Sequence, residues 1–467
     1  MALFFAYFAA FFPIGLASWI HGTFGYPTID QILYHLHFSD EAAVKMSGLF
    51  AFTFVIEALT VPLLSAAVAA WVHRAAARKW PGWPRQVLRT LPHAGMIAST
   101  TALLLQFSVF SYAAAHFQPD RFAEAYVAPQ AAQGEAAKPR NLILIYVESL
   151  EGTYADAEIF GTDLLAPLRS VGGSSFAGYR QADGANWTIA AMVATQCGVP
   201  LRVHSDFNLR SDVGRVFLPG AVCLGDLLRT HGYRNVFLGG ASLSFAGKGA
   251  FLRDHGYDEI WGREEWRKAG TAPEELGWWG LHDDALLARA RAQLDALHAA
   301  GQPFNLTLLT LDTHGPDGFL SPTCRRRGVD NFAGILTCTS EQLAGFVQYV
   351  RDRGYLEDTT LVILGDHLAG GTPLDAKLRK STNRRMFNLL LAHPQPTLNT
   401  RELLPFDMFP TLAELAGLRV PGGRLGLGVS GLGEPDTGDG PPRLDEAALR
   451  ALVGSGAYAR LWQRQGP

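Results

Sequence analysis

Polar side chains able to hold a metal stand just after two apolar runs of the chain. Glu148 follows the run 141–147, and Asp366 and His367 come shortly after the run 359–364. In open α/β sheets, ligands bind beyond the carboxyl ends of the strands, so we expect these side chains to meet at one edge. Carboxylate oxygens and an imidazole suit Mn²⁺ or Zn²⁺. An Asp-His pair at a strand end is more often structural than metal-binding. Here, however, Glu148 is expected at the same edge of the sheet, which favours a metal site.

A candidate nucleophile stands at Thr188, where a polar turn runs into a helical pattern in the string 184–192. Backbone dipoles and N–H groups at a helix N-terminus help a hydroxyl toward its alkoxide, and a bound metal lowers its pKa further. The alternative is that Thr188 only caps the helix, because Thr favours that position.

The elements that must position these residues alternate along the chain. Apolar runs predict strands at 141–147, 235–238, 304–311, 359–364 and 387–391. Between them lie helical patterns, most clearly 283–297 and 340–353, the second with Ser340 as its cap and Gly354 as its stop. This alternation predicts a mostly parallel sheet flanked by helices on both faces.

The first quarter of the chain predicts a membrane region. Only 18% of the 467 residues are charged, against about 25% in soluble domains. The apolar excess lies in three stretches, 2–20, 46–72 and 91–116, each long enough for a bilayer core, which takes about 20 residues. Glu57 is the one charge in the second stretch, either functional or simply protonated or helix-paired. The net charge of −3 excludes a polybasic nucleic-acid binder.

The loop between the second and third stretches predicts the orientation. It carries basic residues without an acid: Arg74, Arg78, Lys79, Arg85 and Arg89. Such a loop favours the cytoplasmic side, so the chain after about residue 117 is expected on the extracytoplasmic side of a multi-pass membrane protein. We expect an anchor over 1–117, a tether over 118–140, a catalytic domain over 141–432, and a tail with a short helix over 433–467.

All four cysteines fall after the third apolar stretch, in what would be an oxidising compartment. Proximity in the sequence suggests that Cys197 pairs with Cys223 and Cys324 with Cys338. Free buried thiols are the alternative.

Several separated motifs occur in the order of a known family. Glu148, Thr188, Asp366-His367 and the string 406–412 resemble the sulfatase-like branch of the alkaline phosphatase superfamily, over roughly 138–432. Within that branch, four strings are similar to the phosphoglycerol transferases of periplasmic glucan synthesis, with lipoteichoic acid synthases as more distant relatives: 146–151, 187–198, 245–249 and 311–316. The Cys-x-Pro-x-Arg core of sulfatases is absent, because the segment 197–202 is one residue too long.

This resemblance implies a location, a reaction and its participants. The chain would be a multi-pass protein of a bacterial inner membrane, with its tether and catalytic domain in the periplasm. Glu148, Thr188, Asp366 and His367 would bind one divalent metal, Mn²⁺ first, with Mg²⁺ or Zn²⁺ possible. Thr188 would be the nucleophile, phosphatidylglycerol in the outer leaflet of the cytoplasmic membrane the donor, and a periplasmic glucan the acceptor.

The substrate-binding residues depart from those of the related synthases, which use a His-Gly-Asp string followed by Trp and Arg. Here Leu238-Gly239-Gly240 precedes Phe245 and Lys248, so Lys248 is expected to replace the Arg as phosphate partner. His314 matches a substrate-side histidine, and Asp312 and Trp187 are further substrate-binding candidates. A basic cluster over 377–385 could contact anionic groups or form a solvated face.

Two other functions fit the same residues less well. A phosphoethanolamine transferase shares the fold and a Thr nucleophile but usually has a fuller second-metal set and more membrane spans. A catalytically silent envelope-binding module would not need competent residue types at all four metal positions.

Overall fold

The chain divides into two compact units in the computed structural model, Met1–Phe117 and Gln118–Pro467. The structure describes residues 1–24, 27–38, 48–79, 85–129, 138–202, 216–433 and 440–463. Parts of all four expected segments therefore lie outside the described residues, including the start of the second apolar stretch, most of the tether's second half, 203–215 of the catalytic domain and parts of the tail.

The first unit is helical. Its helices are α1 (Ala2–Phe24), α2 (Ile29–Phe38), α3 (Gly48–Phe54), α4 (Val61–Lys79), α5 (Arg85–Gln106) and α6 (Val109–Ala115), with a π-helical segment, Val55–Thr60, between α3 and α4. Two helical stretches, Ala2–Gly22 and Ala51–Lys79, are long and apolar enough to cross a membrane.

The third apolar stretch differs from the expected single span. α5 and α6 are bent by 59° relative to each other. Ser108 stands between them in the left-handed conformation, with φ 58°, which interrupts the helical hydrogen bonding. The described part of the unit therefore holds two candidate spans, or three if the bent pair crosses as one.

Helix α1 packs closely on the π-helical segment and α4. Tyr7 Oη lies 3.0 Å from His73 Nδ1, and Ala66 and Ala70 are buried against Tyr7. A Cβ on Gly15 would lie 2.6 Å from the carbonyl oxygen of Glu57. Small residues therefore allow the backbones to approach, as in many membrane helix pairs.

The second unit is built on a six-stranded sheet. Its strands are β1 (Asn141–Val147), β2 (Arg234–Gly239), β3 (Glu259–Trp261), β4 (Phe304–Leu309), β5 (Thr359–Gly365) and β6 (Asn388–Leu391). The order is β3-β2-β4-β1-β5-β6, and all neighbours are parallel except β5 and β6. The predicted mostly parallel sheet is confirmed. A two-stranded sheet pairs β7 (Arg424–Leu425) with β8 (Gly428–Val429).

Helices connect and cover the strands. They are α7 (Phe122–Ala125), α8 (Ala157–Phe160), α9 (Ala166–Arg169), α10 (Thr188–Cys197), α11 (Leu224–Thr230), α12 (Lys248–Asp254), α13 (Arg263–Lys268), α14 (Asp283–Ala300), α15 (Pro322–Arg326), α16 (Phe332–Asp352), α17 (Asp375–Leu378), α18 (Met408–Leu415), α19 (Glu446–Ala451) and α20 (Gly456–Ala459). Strand β1 shows the layering, because Ile143 and Ile145 join a core cluster with α14 and α16 whereas Tyr146 Oη lies 2.6 Å from Thr195 Oγ1 of α10.

The expected cap of α16 was wrong. This helix begins eight residues before Ser340, and Asn331 caps it by accepting a hydrogen bond from the Gly334 N–H at 2.9 Å. Ser340 is buried, and its hydroxyl oxygen accepts from the Leu168 N–H at 3.0 Å. Ser340 therefore joins α16 to α9.

The string 406–412 has a packing role in the fold. The Asp407 carboxylate is buried and accepts from the Leu404 and Val429 N–H groups, each at 2.8 Å. It also pairs with Arg401 at 3.0 Å and Arg443 at 2.7 Å. Asp407 thus holds the start of α18, strand β8 and the C-terminal segment together.

Disulfide bonds join Cys197 to Cys223 and Cys324 to Cys338. The first connects the C-terminal end of α10 to the residue before α11, and the second joins α15 to α16. Both lie in the second unit.

Arg384, in the basic cluster over 377–385, contacts a buried acid. Its guanidinium pairs with the fully buried carboxylate of Glu151, with Arg384 Nε donating to Glu151 Oε2 at 2.8 Å. Thr153 Oγ1 donates to the same carboxylate at 2.8 Å.

We predict that Arg384→Ala destabilises the second unit by about 3 to 5 kcal/mol, because it leaves a buried carboxylate without its cation. Thermal unfolding of the full chain in detergent measures the effect. The matched control is Lys380→Ala on the exposed part of the same cluster, which should change stability by less than about 0.5 kcal/mol. Equal unfolding temperatures for the two variants would contradict the assignment.

Candidate active site

The carboxyl ends of β1 and β5 bring Glu148 and Asp366 together. Val147 and Gly365 are register partners in these adjacent parallel strands, so the next residue of each strand projects from the same edge. Ser149, with φ 53°, turns the chain sharply after Glu148. Its N–H donates to Asp366 Oδ1 at 2.7 Å, and its hydroxyl donates to Glu148 Oε1 at 2.8 Å.

Thr188 lies beside this pair as the first residue of α10. The extended Trp187 occupies the N-cap position and makes no side-chain cap hydrogen bond. The hydroxyl of Thr188 donates to Glu148 Oε2 at 3.3 Å. Because the first turn of a helix has N–H groups without intrahelical acceptors, negative charge on this oxygen is favoured.

His367 completes the cluster. Its Nε2 lies 3.3 Å from Glu148 Oε1 and 3.5 Å from Asp366 Oδ2. Its Nδ1 lies 3.0 Å from the carbonyl oxygen of Leu368 and donates to it in the neutral ring. That hydrogen bond orients Nε2 toward the two carboxylates, and in a metal-bound state it would leave the Nε2 lone pair available as a ligand.

The pKa values within the cluster are strongly perturbed. Burial raises the pKa of Asp366 to about 7, and the neighbouring Glu148 carboxylate acts in the same direction. Burial opposes ionisation of Glu148 too, but His314 and His367 outweigh it and lower its pKa to about 2. Burial disfavours the His367 cation, yet Asp366 and Glu148 raise its pKa to about 10. Both carboxylates thus interact with His367, and Glu148 interacts with His314 as well.

These residues fit a divalent metal. Asp366 Oδ2 is buried and has no hydrogen-bond partner among the described residues. Buried polar atoms are nearly always paired, so this oxygen favours a ligand. One ligand atom each from Glu148, Asp366 and His367 lies within 4.8 Å of the others, and Thr188 Oγ1 adjoins them through Glu148. Cys223, Asp226 and His255 form a similar group, but the Cys223 sulfur is in a disulfide.

A small cleft opens beside Glu148 and Thr188, which both line it. Lys248 and His314 line it as well. Lys248 is only 4% exposed, and burial lowers its pKa to about 8 even though Glu148, Glu264 and Asp366 act in the opposite direction. His314 Nδ1 lies 2.6 Å from the Gly315 carbonyl oxygen, which fixes the ring against the loop.

Sequence reasoning missed the aromatic wall of this cleft. Trp279 lines it together with Phe245 and His314, with ring centroids 5.3 Å from Phe245 and 5.5 Å from His314. The signal available in the sequence was a Trp-Trp pair between Gly277 and Gly280. Gly280 is required there, because a Cβ would lie 2.2 Å from the Gly240 carbonyl oxygen.

Two other sequence candidates lie elsewhere. The Asp312 carboxylate is fully buried, 2.8 Å from His282 Nδ1, and it accepts from the Asp283 N–H at 3.2 Å. Trp187 precedes α10 at its cap position. Neither residue lines the cleft, whereas Glu148, Thr188, Lys248 and His314 do.

Named relatives are similar to this chain in sequence. "Phosphoglycerol transferase I" of Escherichia coli O127:H6 (strain E2348/69 / EPEC) is 37% identical over 302 residues, which cover 62% of this chain and 39% of the relative. The protein of the same name from Xanthomonas euvesicatoria pv. vesicatoria (strain 85-10) is 38% identical over 336 residues, covering 69% and 46% respectively. The chain spans less than half the length of these curated relatives.

Solved structures share the fold. An alkaline phosphatase superfamily protein from Vibrio parahaemolyticus is 18% identical with a TM-score of 0.50, covering 76% of this chain and 96% of its own. The lipoteichoic acid synthase LtaP from Listeria monocytogenes is 16% identical with a TM-score of 0.50, covering 71% and 96%. The family model described as "Sulfatase" matches residues 140–418, more than half of the chain. The chain therefore belongs to the sulfatase family.

Proposed function

We propose that this chain is a metal-dependent phosphoglycerol transferase. It would move the phosphoglycerol group of phosphatidylglycerol to a periplasmic glucan through a covalent intermediate on Thr188. The observation that carries this proposal is the Thr188 hydroxyl at a helix N-terminus, 3.3 Å from Glu148 in the cluster with Asp366 and His367. The names of the curated relatives support the choice of transferred group.

In the first step, the oxygen of Thr188 attacks the phosphorus of the donor. A bond from Thr188 Oγ1 to phosphorus forms, the bond from phosphorus to the diacylglycerol oxygen breaks, and diacylglycerol leaves after taking a proton. The N-terminus of α10 favours the deprotonated hydroxyl. A bound divalent metal, held by Glu148, Asp366, His367 and Thr188, would lower the hydroxyl pKa and neutralise charge on the phosphoryl oxygens.

The second step reverses the first with another alcohol. A sugar hydroxyl oxygen attacks the phosphorus, the bond to Thr188 Oγ1 breaks, and the proton lost by the sugar hydroxyl returns to the Thr188 oxygen. Atoms balance without an oxidant or a further co-reactant. Each step exchanges one phosphodiester bond for another of similar free energy, so the transfer needs no further energy source.

Lys248 and His314 hold the phosphoryl group in this account. Both line the cleft beside Thr188, and the Lys248 ammonium also lies 5.0 Å from the centroid of Phe245. A buried ammonium is a strong partner for a phosphate oxygen, although it lacks the planar fork of Arg.

We expect Lys248→Ala to raise KM for the lipid donor by about 10- to 100-fold, because one charge-assisted hydrogen bond contributes about 1.5 to 3 kcal/mol. Lys248→Arg should recover part of the loss. Initial rates of diacylglycerol release over a range of donor concentrations in mixed micelles measure both variants. An unchanged KM in Lys248→Ala would exclude Lys248 as the phosphate partner.

The same proposal places the second unit in the periplasm and the first unit across the inner membrane. The acid-free basic segment Arg74–Arg89 supports a cytoplasmic loop, and the disulfides of the second unit suit an oxidising compartment. A cysteine introduced into that loop, reacted with a membrane-impermeant reagent in intact cells, tests the orientation. Labelling from outside would contradict it.

The function is tested with the purified full chain, Mn²⁺ and two donor lipids labelled in the headgroup. We expect diacylglycerol release and label transfer to a glucose oligosaccharide from phosphatidylglycerol, and neither from phosphatidylethanolamine. The opposite preference would favour the phosphoethanolamine transferase function. No turnover of either lipid would contradict the proposal.

A further inference from the structure

Trp278 stands out on the surface of the second unit. It is 62% exposed, and from Gln118 onward it is the only exposed large hydrophobic side chain among the described residues. Isolated exposed apolar residues are ordinary on protein surfaces. Trp278, however, lies next to the wall of the cleft, where an exposed aromatic ring can contact a bound ligand.

A continuous series of aromatic rings leads from the cleft to Trp278. The centroid of Trp278 lies 5.4 Å from that of Trp279, which itself lines the cleft. On its other side Trp278 lies 5.7 Å from Phe319, which is 6.3 Å from His314. Trp278 thus extends the wall of the cleft outward.

The loop that carries Trp278 is fixed at both ends. The Leu281 N–H donates to the Gly240 carbonyl at 3.0 Å, and the His282 N–H donates to the Glu275 carbonyl at 3.0 Å. The side chain of His282 is held in turn by Asp312, at 2.8 Å. The indole is therefore presented to solvent on a pinned loop.

Two exposed acids lie in the loops that carry Trp278 and Phe319. They are Glu274 and Asp317. Carboxylate oxygens accept hydrogen bonds from hydroxyl groups, so these side chains suit a ligand rich in hydroxyls.

We propose that Trp278 is a stacking platform for a sugar ring of the acceptor at the mouth of the cleft. The apolar C–H face of a pyranose packs on the indole, and Asp317 and Glu274 accept hydrogen bonds from its hydroxyls. The next sugar then reaches along Trp279 toward Thr188. This inference rests on the proposed function for the reaction, and on the exposed ring and the acids of the two adjoining loops for the ligand.

The kinetic test compares Trp278→Ala, Trp278→Leu and Trp278→Phe in the full chain, with phosphatidylglycerol as donor and a glucose oligosaccharide as acceptor. We expect KM for the sugar to rise about tenfold or more in the Ala and Leu variants, with Phe within about threefold of wild type. KM for the lipid should stay within about twofold. The matched surface control is Lys268→Ala, at the exposed end of α13.

Other kinetic outcomes overturn the proposal. If Trp278→Ala has the same KM for the sugar as wild type, Trp278 is not a stacking platform. Recovery by Leu as well as by Phe indicates a merely apolar contact. A rise in KM for the lipid alone indicates a membrane contact.

A binding measurement separates this inference from the proposed function. Saturation-transfer NMR between the full chain and the same oligosaccharide needs no turnover. A signal in wild type that is lost in Trp278→Ala supports the platform even if phosphatidylglycerol proves not to be a donor. The absence of a signal in wild type overturns it.

Discussion

Replacing Thr188 with Ala is expected to lower diacylglycerol release from phosphatidylglycerol by at least about 10³-fold, the scale of losing a catalytic nucleophile. The substitution removes the only oxygen that the account places at the helix N-terminus and beside Glu148. Water could still attack the donor, but without the covalent route and without the positioned alkoxide. The rate is measured with the purified full chain and labelled lipid.

Thr188→Ser is the matched control, because it keeps the hydroxyl and removes only a methyl group. We expect it to retain measurable release. Thermal unfolding of both variants should stay close to wild type, since Thr188 is only half-buried. Release from Thr188→Ala within a few fold of wild type would rule out Thr188 as the nucleophile.

Asp366→Asn is expected to separate stability from metal binding. Without metal, the Asp366 carboxylate is buried near Glu148, and both effects raise its pKa. A neutral amide removes that unfavourable charge, while its oxygen still accepts from the Ser149 and His367 N–H groups that now bind Oδ1. The metal-free variant should therefore unfold at a higher temperature than metal-free wild type.

Metal addition should reverse this order. Wild type gains about 2.7 kcal/mol when the metal is at 100 times its Kd. We expect affinity in Asp366→Asn to fall by more than about 100-fold, because a charged ligand is lost. Calorimetric titration with Mn²⁺ and thermal unfolding measure the two effects, with the exposed Asp330→Asn as control. Equal metal stabilisation in the variant and in wild type would place the metal elsewhere.

The sheet could be predicted because its strands are nearly continuous apolar runs. β1 matches its predicted bounds, and β5 extends one residue beyond them. Parallel strands buried on both faces must have this composition, so the pattern alone locates them. The three-residue β3 was missed, since Glu259–Trp261 is too short and too polar for such a pattern.

The candidate cluster could be predicted for a related reason. Residues that follow adjacent parallel strands share an edge, which brings Glu148 and Asp366 together whatever the connecting loops do. Trp279 and Trp278 could not be found in this way, because the loop that carries them is placed by contacts such as the Leu281 N–H with Gly240. Those contacts join segments that are distant in the sequence, so no local pattern of apolar and polar residues indicates them.

The first unit shows that composition alone does not predict where a helix is interrupted. An uncharged apolar stretch over 91–116 predicts a span, but one residue in the left-handed conformation, Ser108, divides it into two helices. A hydropathy average over the stretch is insensitive to the backbone conformation of a single serine, so it cannot detect such a break.

The most direct test is mass spectrometry of the wild-type chain after incubation with phosphatidylglycerol and Mn²⁺, without an acceptor, and an acid quench. The account predicts that the peptide containing Thr188 gains the mass of one phosphoglycerol group. Thr188→Ala should show no such gain. An unmodified Thr188 under conditions that release diacylglycerol, or the group attached to another residue, would contradict a covalent mechanism at Thr188.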